Sequence, residues 1–291
     1  MRSTRMHSPV ECAIVDELVL QDTLRLRVGC TFAYDLAGPS SALIQVAVQQ
    51  TDIIGLQREV WEIEPPAGLT PLSDLYGNSL QRVVMPGGPM RLRYDAIVDV
   101  PGRFDEVDAG VAQHPIEDLP AEALHYLLAS RYCVSDALMS TAWELFGDTG
   151  AGWARAQAIC DWVHDNVEFQ YGSSDPLTTA KDVFDRRRGV CRDFAHLFIS
   201  FCRATNLPAR YVFGYLPDLF VEPNPDPMDF CAWAEVYLGC RWWTFDPRNN
   251  QRRVGRVVVG RGRDAVDVAM LTTWGPATFR SLEVWADEAP T

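Results

Sequence analysis

The chain has 291 residues and no apolar run that approaches the roughly 18 consecutive residues of a membrane-spanning helix. Residues 1–22 mix charged side chains into each apolar stretch, which is not the pattern of a secretory signal. We therefore expect a cytoplasmic protein that has no membrane partner.

Positive charge is also scarce. Lysine and arginine total 26 residues against 39 aspartates and glutamates, which gives a net charge of −13, and Lys181 is the single lysine. A surface that binds nucleic acid or anionic lipid needs clustered positive charge. We therefore expect no nucleic-acid partner, and the oligomeric state is left open.

The eight cysteines form no C-x-x-C pair and no dense group. A structural zinc site and the disulfide framework of a small secreted domain are therefore not indicated. We expect free thiols, most of them buried as small apolar side chains. The sequence predicts no metal and no cofactor.

The first third of the chain has the pattern of a β domain. Short apolar stretches are separated by glycine-, proline- and asparagine-containing turns. The two-residue periodicity of antiparallel strands occurs in residues 24–34, 44–48, 59–63 and 91–98. We predict an N-terminal antiparallel β-sandwich in residues 1–105.

The periodicity changes after Pro101. Helices are predicted in residues 120–128, after an N-cap at Ser135, in residues 156–167 and from Cys191 onward. Strands are predicted in residues 209–215, 229–238 and 241–245. Helices followed by an antiparallel sheet indicate an α+β core domain, which we place in residues 106–291.

A candidate nucleophile lies at the start of the last predicted helix. Gly189 allows a sharp turn that brings Cys191 to the first helical turn, where free backbone N–H groups and the helix dipole favour a thiolate. The same N–H groups could also stabilise an oxyanion. A buried cysteine with a purely structural role remains the alternative for this position.

A second informative segment is the predicted hairpin around Gly239-Cys240. A two-residue loop pairs Leu238 with Arg241 and places Trp233 opposite Asp246. Strand parity then puts Cys231, Trp233, Glu235 and Asp246 on one face, with Cys231 and Asp246 roughly 7 to 8 Å apart at Cα. The carboxylate is thus placed to orient a side chain at position 231.

These two segments, with Gly214-Tyr215 between them, resemble the transglutaminase-like superfamily, specifically its bacterial cysteine-protease branch. The resemblance covers most of the chain and implies a papain-like core preceded by a β domain. In that family a helix-start cysteine, a strand histidine and a following aspartate transfer acyl groups from amides. Position by position, the resemblance makes Cys191 the nucleophile and Asp246 the orienting carboxylate.

The strand position at which the resemblance implies histidine is Cys231. We therefore expect a cysteine amidase or protease that acts on peptide or protein amides through a Cys191 thioester, with activity impaired or altered by Cys231. The aromatic residues expected to contact substrate are Trp233, Tyr171 and Trp242.

Two alternatives remain open at this stage. The chain could be a catalytically inactive relative that uses the same cleft for binding or assembly. Cys191 and Cys231 could instead form a disulfide, or bind a soft metal together with Asp246, although a permanent disulfide is disfavoured in a reducing compartment. His196 is expected to be structural, because it lies about 140° around the helix from Cys191. His164 lies on the preceding predicted helix and is also expected to be structural.

Overall fold

The computed structural model describes residues 19–50, 55–222 and 225–289. Residues 1–18, which carry most of the segment examined for a secretory signal, lie outside this described part. Within it, no helix is both long and apolar enough to cross a bilayer.

The described residues form fourteen strands, five α-helices and three short 3₁₀ segments. The strands are β1 (Val19–Leu36), β2 (Ser40–Ile44), β3 (Gly55–Glu64), β4 (Thr70–Ser73), β5 (Ser79–Met85), β6 (Gly88–Arg103), β7 (Glu168–Phe169), β8 (Arg188–Gly189), β9 (Ala209–Tyr215), β10 (Cys231–Leu238), β11 (Arg241–Phe245), β12 (Val257–Gly262), β13 (Leu271–Thr273) and β14 (Ala277–Glu288). The helices are α1 (Ala121–Leu124), α2 (Met139–Phe146), α3 (Trp153–Asn166), α4 (Ala180–Arg186) and α5 (Cys191–Ala204). The 3₁₀ segments are Ile116–Asp118, His125–Leu127 and Ser135–Leu138.

Two antiparallel sheets make up the N-terminal part, with strand orders β14-β1-β6-β3 and β13-β2-β5-β4. Apolar and charged side chains alternate along β1, so that one face of its sheet packs on the core and the other faces solvent. Leu26 and Val28 are buried in the core, while Arg25 and Arg27 face solvent. Side chains of β1, β2, β5 and β6 form one apolar core. The predicted antiparallel β-sandwich is confirmed.

The last two strands of the chain belong to these N-terminal sheets. β14 pairs antiparallel with β1, with Cys30 opposite Val284, and β13 pairs with β2. β14 lies so close that a Cβ atom on Gly29 would be 2.5 Å from the Trp285 ring, so only glycine fits there. The division into residues 1–105 and 106–291 stays a prediction, and these pairings place β13 and β14 in the sheets of the sandwich.

The core that follows the sandwich packs helix α5 against a sheet of order β11-β10-β9-β12. The β10–β11 hairpin has the predicted register, from Leu238 opposite Arg241 to Ala234 opposite Phe245. Alternate residues of β10, from Ala232 to Leu238, join the helices in the larger apolar core of this part. The predicted α+β arrangement, with helices on an antiparallel sheet, is therefore correct.

Two helical predictions need correction, and one helix was not predicted. The predicted helix at residues 120–128 is one turn, α1, followed by a 3₁₀ turn. Ser135 does not cap a helix, because it is itself the first residue of the 3₁₀ segment that precedes α2. Helix α4 was not predicted, although the Thr179 side chain accepts from the backbone of Asp182 in a capping box that the sequence shows.

The face of β10 that points away from α5 carries a buried ion-pair network. Glu235 lies between Arg210 and Arg261, with Oε2 accepting from the Nε atoms of both at 2.6 and 2.9 Å. Burial alone would raise the pKa of Glu235, but the two guanidinium groups outweigh it and lower the pKa to about 2. The carboxylate therefore stays charged over the whole physiological range.

Replacing Glu235 by glutamine is expected to reduce the free energy of unfolding at pH 7 by about 3 kcal/mol. The native pKa lies below the ordinary value of 4.5, so the contribution is complete above pH 4.5 and disappears as the pH falls toward 2. Urea unfolding at pH 7 and at about pH 3 should show a smaller difference between wild type and variant at the lower pH. An equal loss at both pH values would contradict this assignment.

Candidate active site

The start of helix α5 is built by local sequence. The backbone N–H of Val190 donates to Oδ2 of Asp193 at 2.9 Å, which fixes the chain at the helix N-terminus. Asp193 is fully buried and packs so closely on Gly189 that a Cβ there would lie 2.7 Å from Cβ of Asp193. Glycine before the helix and aspartate in its first turn together hold Cys191 in place.

Cys191 is partly exposed, and its Sγ atom lies 3.8 Å from the carbonyl oxygen of Phe230. Burial raises the pKa of the thiol to about 11. The positive charge of Arg248 acts in the opposite direction, as do backbone hydrogen bonds from Ala232 and Arg192, while Asp229 adds to the rise. The helix start, which favours a thiolate, therefore does not outweigh burial at Cys191.

The structure brings Cys231 to the same place. Cys231 begins β10, is 5% exposed, and lines one cleft together with Cys191. Burial raises the pKa of Cys231 well above its ordinary value, and the charges of Asp246 and of a Cys191 thiolate raise it further. Both cysteines are free thiols, and burial favours the protonated form of each.

Asp246 lies directly after β11, with its side chain 2% exposed. Its carboxylate accepts from the side-chain amide of Asn249 at 2.8 Å and from Nη2 of Arg256 at 2.9 Å. Burial favours the neutral acid, but Arg256 and Asn249 outweigh burial and lower the pKa of Asp246. The carboxylate is thus ionised and held in place, and it acts on Cys231 through its charge.

The aromatic residues predicted to contact substrate are spread over three places. Tyr171 lines a cavity of about 330 Å³ that also contains Cys231. Trp233 is 1% exposed and packs with Val212 and Cys231 below the surface. Trp242 lines a separate cavity beside Arg210. Neither tryptophan is among the described residues that line the cleft of the two cysteines.

Two charged residues beside the thiols were not singled out from the sequence. The charge of Arg248 lowers the pKa of both cysteines, and its guanidinium carbon lies 4.0 Å from the centre of the Phe169 ring. Asp229 lines the cleft, and burial raises its pKa above the ordinary value. The hairpin register, which places Arg248 opposite Cys231, was the available signal for Arg248.

Four of the five histidines are in the described part of the chain, and none of these four lines the cleft. His196 is fully buried, stacks on Tyr132 with ring centres 5.0 Å apart, and accepts at Nε2 from the backbone of Ala265 at 3.1 Å. Burial lowers the pKa of His196 well below its ordinary value. His164 lies at the end of α3, with Nδ1 at 3.0 Å from the carbonyl oxygen of Arg248.

The metal alternative finds no support in the side chains that the structure describes. Among residues 19–50, 55–222 and 225–289, no three histidine, cysteine, aspartate or glutamate side chains are grouped so that they could hold a metal ion. Cys191, Cys231 and Asp246 therefore remain a set of two thiols and a carboxylate that is bound by protein donors.

Comparisons with known proteins agree with this architecture. Residues 141–247, which include both site cysteines and Asp246, match the family model of the transglutaminase-like superfamily. An uncharacterized protein of Mycobacterium leprae is 34% identical over 118 residues, which are 39% of this chain and 42% of that protein. The match thus spans less than half the length of that relative.

Two other relatives are matched over most of their length. An uncharacterized protein of Mycobacterium tuberculosis is 31% identical over 235 residues, which are 72% of this chain and 73% of that protein. The crystal structure of a "putative cysteine protease" from Cytophaga hutchinsonii superimposes with a TM-score of 0.84 at 31% identity, covering 93% of this chain and 92% of that one. The chain therefore belongs to the transglutaminase-like superfamily.

Proposed function

We propose that this protein is a transglutaminase-like cysteine amidase that acts on peptide or protein amides through a thioester on Cys191 and is impaired at neutral pH. The observation that carries the proposal is the position of Cys191. Its thiol opens on a cleft from the N-terminus of α5, and Cys231 occupies the adjoining strand position.

The proposed reaction begins with the Cys191 thiolate. Sγ attacks the amide carbonyl carbon, the C–N bond breaks, and the amine leaves with a proton taken from solvent water while the acyl group remains on sulfur. Backbone N–H groups at the start of α5 support the oxyanion. Arg248 favours the thiolate, because its charge lowers the pKa of Cys191. Water then hydrolyses the thioester.

Cys231 impairs two steps of this reaction. With a pKa of about 11, the Cys191 thiol is ionised in roughly one molecule in ten thousand at pH 7. Cys231 has a pKa raised well above neutrality, so it neither takes the proton from Cys191 nor delivers one efficiently to the departing amine. Hydrolysis is preferred to transfer because the resemblance and the Cytophaga structure both point to the protease-like branch.

A second candidate function is binding without turnover. The raised pKa values of both thiols favour it, as does the finding that none of the four described histidines is among the residues that line the cleft. In this case the cleft would hold a peptide segment of a partner protein, and Cys191 would have only a structural role.

Alkylation of Cys191 by iodoacetamide is expected to become about tenfold faster for each pH unit between pH 7 and pH 10, because only the thiolate reacts. Peptide mapping by mass spectrometry follows Cys191 separately from Cys240, which is exposed and serves as the internal reference. A rate that reaches its plateau below pH 8 would show an activated thiol and contradict the impairment.

Turnover decides between the two functions. Hydrolysis of a peptide library is measured at pH 9, where more thiolate is present, with wild type and with Cys191→Ala. Cleavage by wild type that is lost in the variant supports the amidase, and equal rates for both proteins support the binding protein.

A further inference from the structure

The cleft beside Cys191 has a volume of about 510 Å³, and most of its accessible surface is apolar. Its large apolar lining residues are Phe213, Phe230, Val266, Val268, Met270 and Leu282. Burying an apolar side chain against such walls is favourable, because it removes apolar surface from water. The room next to the thiol therefore suits a large hydrocarbon group.

Arg192 and Tyr132, two polar residues of the same cleft, are already engaged within the protein. Nη2 of Arg192 donates to Oδ1 of Asp193 at 3.2 Å and to the carbonyl oxygen of Asp175 at 2.9 Å. The phenol of Tyr132 donates to the carbonyl oxygen of Pro176 at 2.8 Å. A carboxamide that entered here would lose its water without gaining these groups as partners, at a cost in free energy.

One wall of the cleft, in the turn after β12, is fixed before any ligand arrives. In the turn after β12, the backbone N–H of Ala265 donates to Nε2 of His196 at 3.1 Å, and that of Val266 donates to Oδ1 of Asp264 at 3.0 Å. Val268 is buried beneath this turn. A preformed apolar wall selects ligands by shape without first having to be ordered.

We propose that this cleft is the acyl subsite of the protein, and that it selects donors with a large apolar side chain, such as phenylalanine or methionine, next to the reacting carbonyl. A glutamine side chain is disfavoured at this position, because its carboxamide would lose water against the apolar walls and would not gain Arg192 or Tyr132 as partners. The inference rests on the proposed function, since it takes Cys191 as the residue that accepts the acyl group.

Activated esters test the subsite in a reaction that needs no histidine, because their leaving group departs without being protonated. In the reaction of a p-nitrophenyl ester, the bond from Cys191 Sγ to the acyl carbon forms, the ester C–O bond breaks, p-nitrophenolate leaves with the electron pair, and the thiol proton goes to solvent. The N-acetyl-phenylalanine and N-acetyl-glutamine esters are compared by intact mass and peptide mapping. Each rate is divided by the rate of the same ester with free glutathione.

We expect Cys191 to be acylated at least about tenfold faster by the phenylalanine ester than by the glutamine ester. Val266→Asp, at the rim of the cleft where the side chain is 48% exposed, should remove most of this preference. Val84→Asp, on β5 in the sandwich with 65% exposure, is the matched control and should leave the preference unchanged.

The outcomes separate the subsite from the proposed function. Equal rates, a preference for glutamine, or the same loss in Val84→Asp would overturn the subsite and leave Cys191 as acyl acceptor. If neither ester acylates Cys191, both the subsite and the proposed function are overturned. Protection of Cys191 from alkylation by N-acetyl-phenylalanine methylamide, and not by the glutamine analogue, would support the apolar selectivity by a route that needs no turnover.

Discussion

Cys231→His is expected to make Cys191 react about tenfold faster with an aromatic disulfide at pH 7. Pairing with imidazolium can bring the pKa of a cysteine to about 4, which would raise the thiolate fraction about ten-thousandfold from that of a thiol with a pKa of about 11. The less basic thiolate is also less nucleophilic, by about a thousandfold at a Brønsted slope of 0.4 to 0.5. The net gain is therefore about tenfold.

Amide hydrolysis should gain more than thiol reactivity, because histidine also supplies the proton for the leaving amine. General acid catalysis contributes about 100-fold to 10,000-fold. The carboxylate of Asp246 is already ionised and fixed by Asn249 and Arg256, so it can orient an imidazole that is introduced at position 231.

Cys231→Asn is the matched control, because it brings a polar side chain that does not titrate. Cys191 in the histidine variant should react at nearly the same rate from pH 6 to pH 9. In wild type and in the asparagine variant, the rate at Cys191 should rise about tenfold for each pH unit. Peptide mapping must follow Cys191 alone. A histidine variant with wild-type thermal unfolding and a wild-type pH profile would show that position 231 does not act on Cys191.

Arg203→Met is expected to reduce the free energy of unfolding by about 3 to 5 kcal/mol. Arg203 is 3% exposed at the end of α5. Its guanidinium donates to the carbonyl oxygens of Leu128, Ala209 and Arg263 at distances of 2.6 to 3.0 Å. Methionine fills similar space but leaves three carbonyl groups without this donor, at about 1 to 3 kcal/mol each, partly offset by the burial of apolar surface.

Two further variants define the origin of that loss. Arg186→Met removes an arginine from α4 whose side chain is 49% exposed, and it should cost less than about 1 kcal/mol. Arg203→Lys keeps the charge but lacks the planar fork of donors, and it should fall between wild type and Arg203→Met. Urea unfolding at pH 7 measures all three. A loss below about 1 kcal/mol for Arg203→Met would mean that these hydrogen bonds are replaced by water.

Much of the fold could be predicted from local patterns. Alternation along residues 24–34 predicted a strand of the sandwich, and the limits of β9 and β11 agree with the predicted strands. The short loop at Gly239-Cys240 predicted the hairpin register correctly, because a two-residue turn allows only one register between the strands that it joins. The pairing of β14 with β1 could not be predicted, since it joins segments about 250 residues apart and depends on which sheet edge is free.

The sequence by itself determined that Cys191 begins an apolar helix, that Cys231 and Trp233 share one face of a strand, and that cysteine stands where the family resemblance implies histidine. The first two properties follow from turn chemistry and from the alternation of side chains along a strand, and the third rests on the family resemblance. Only the tertiary structure decided that Trp233 is buried away from the cleft and that the cleft beside Cys191 is apolar. The same holds for the pKa of Cys191, because it depends on desolvation and on charges contributed by Arg248 and Asp229, which only the packing of helix against sheet brings to the thiol.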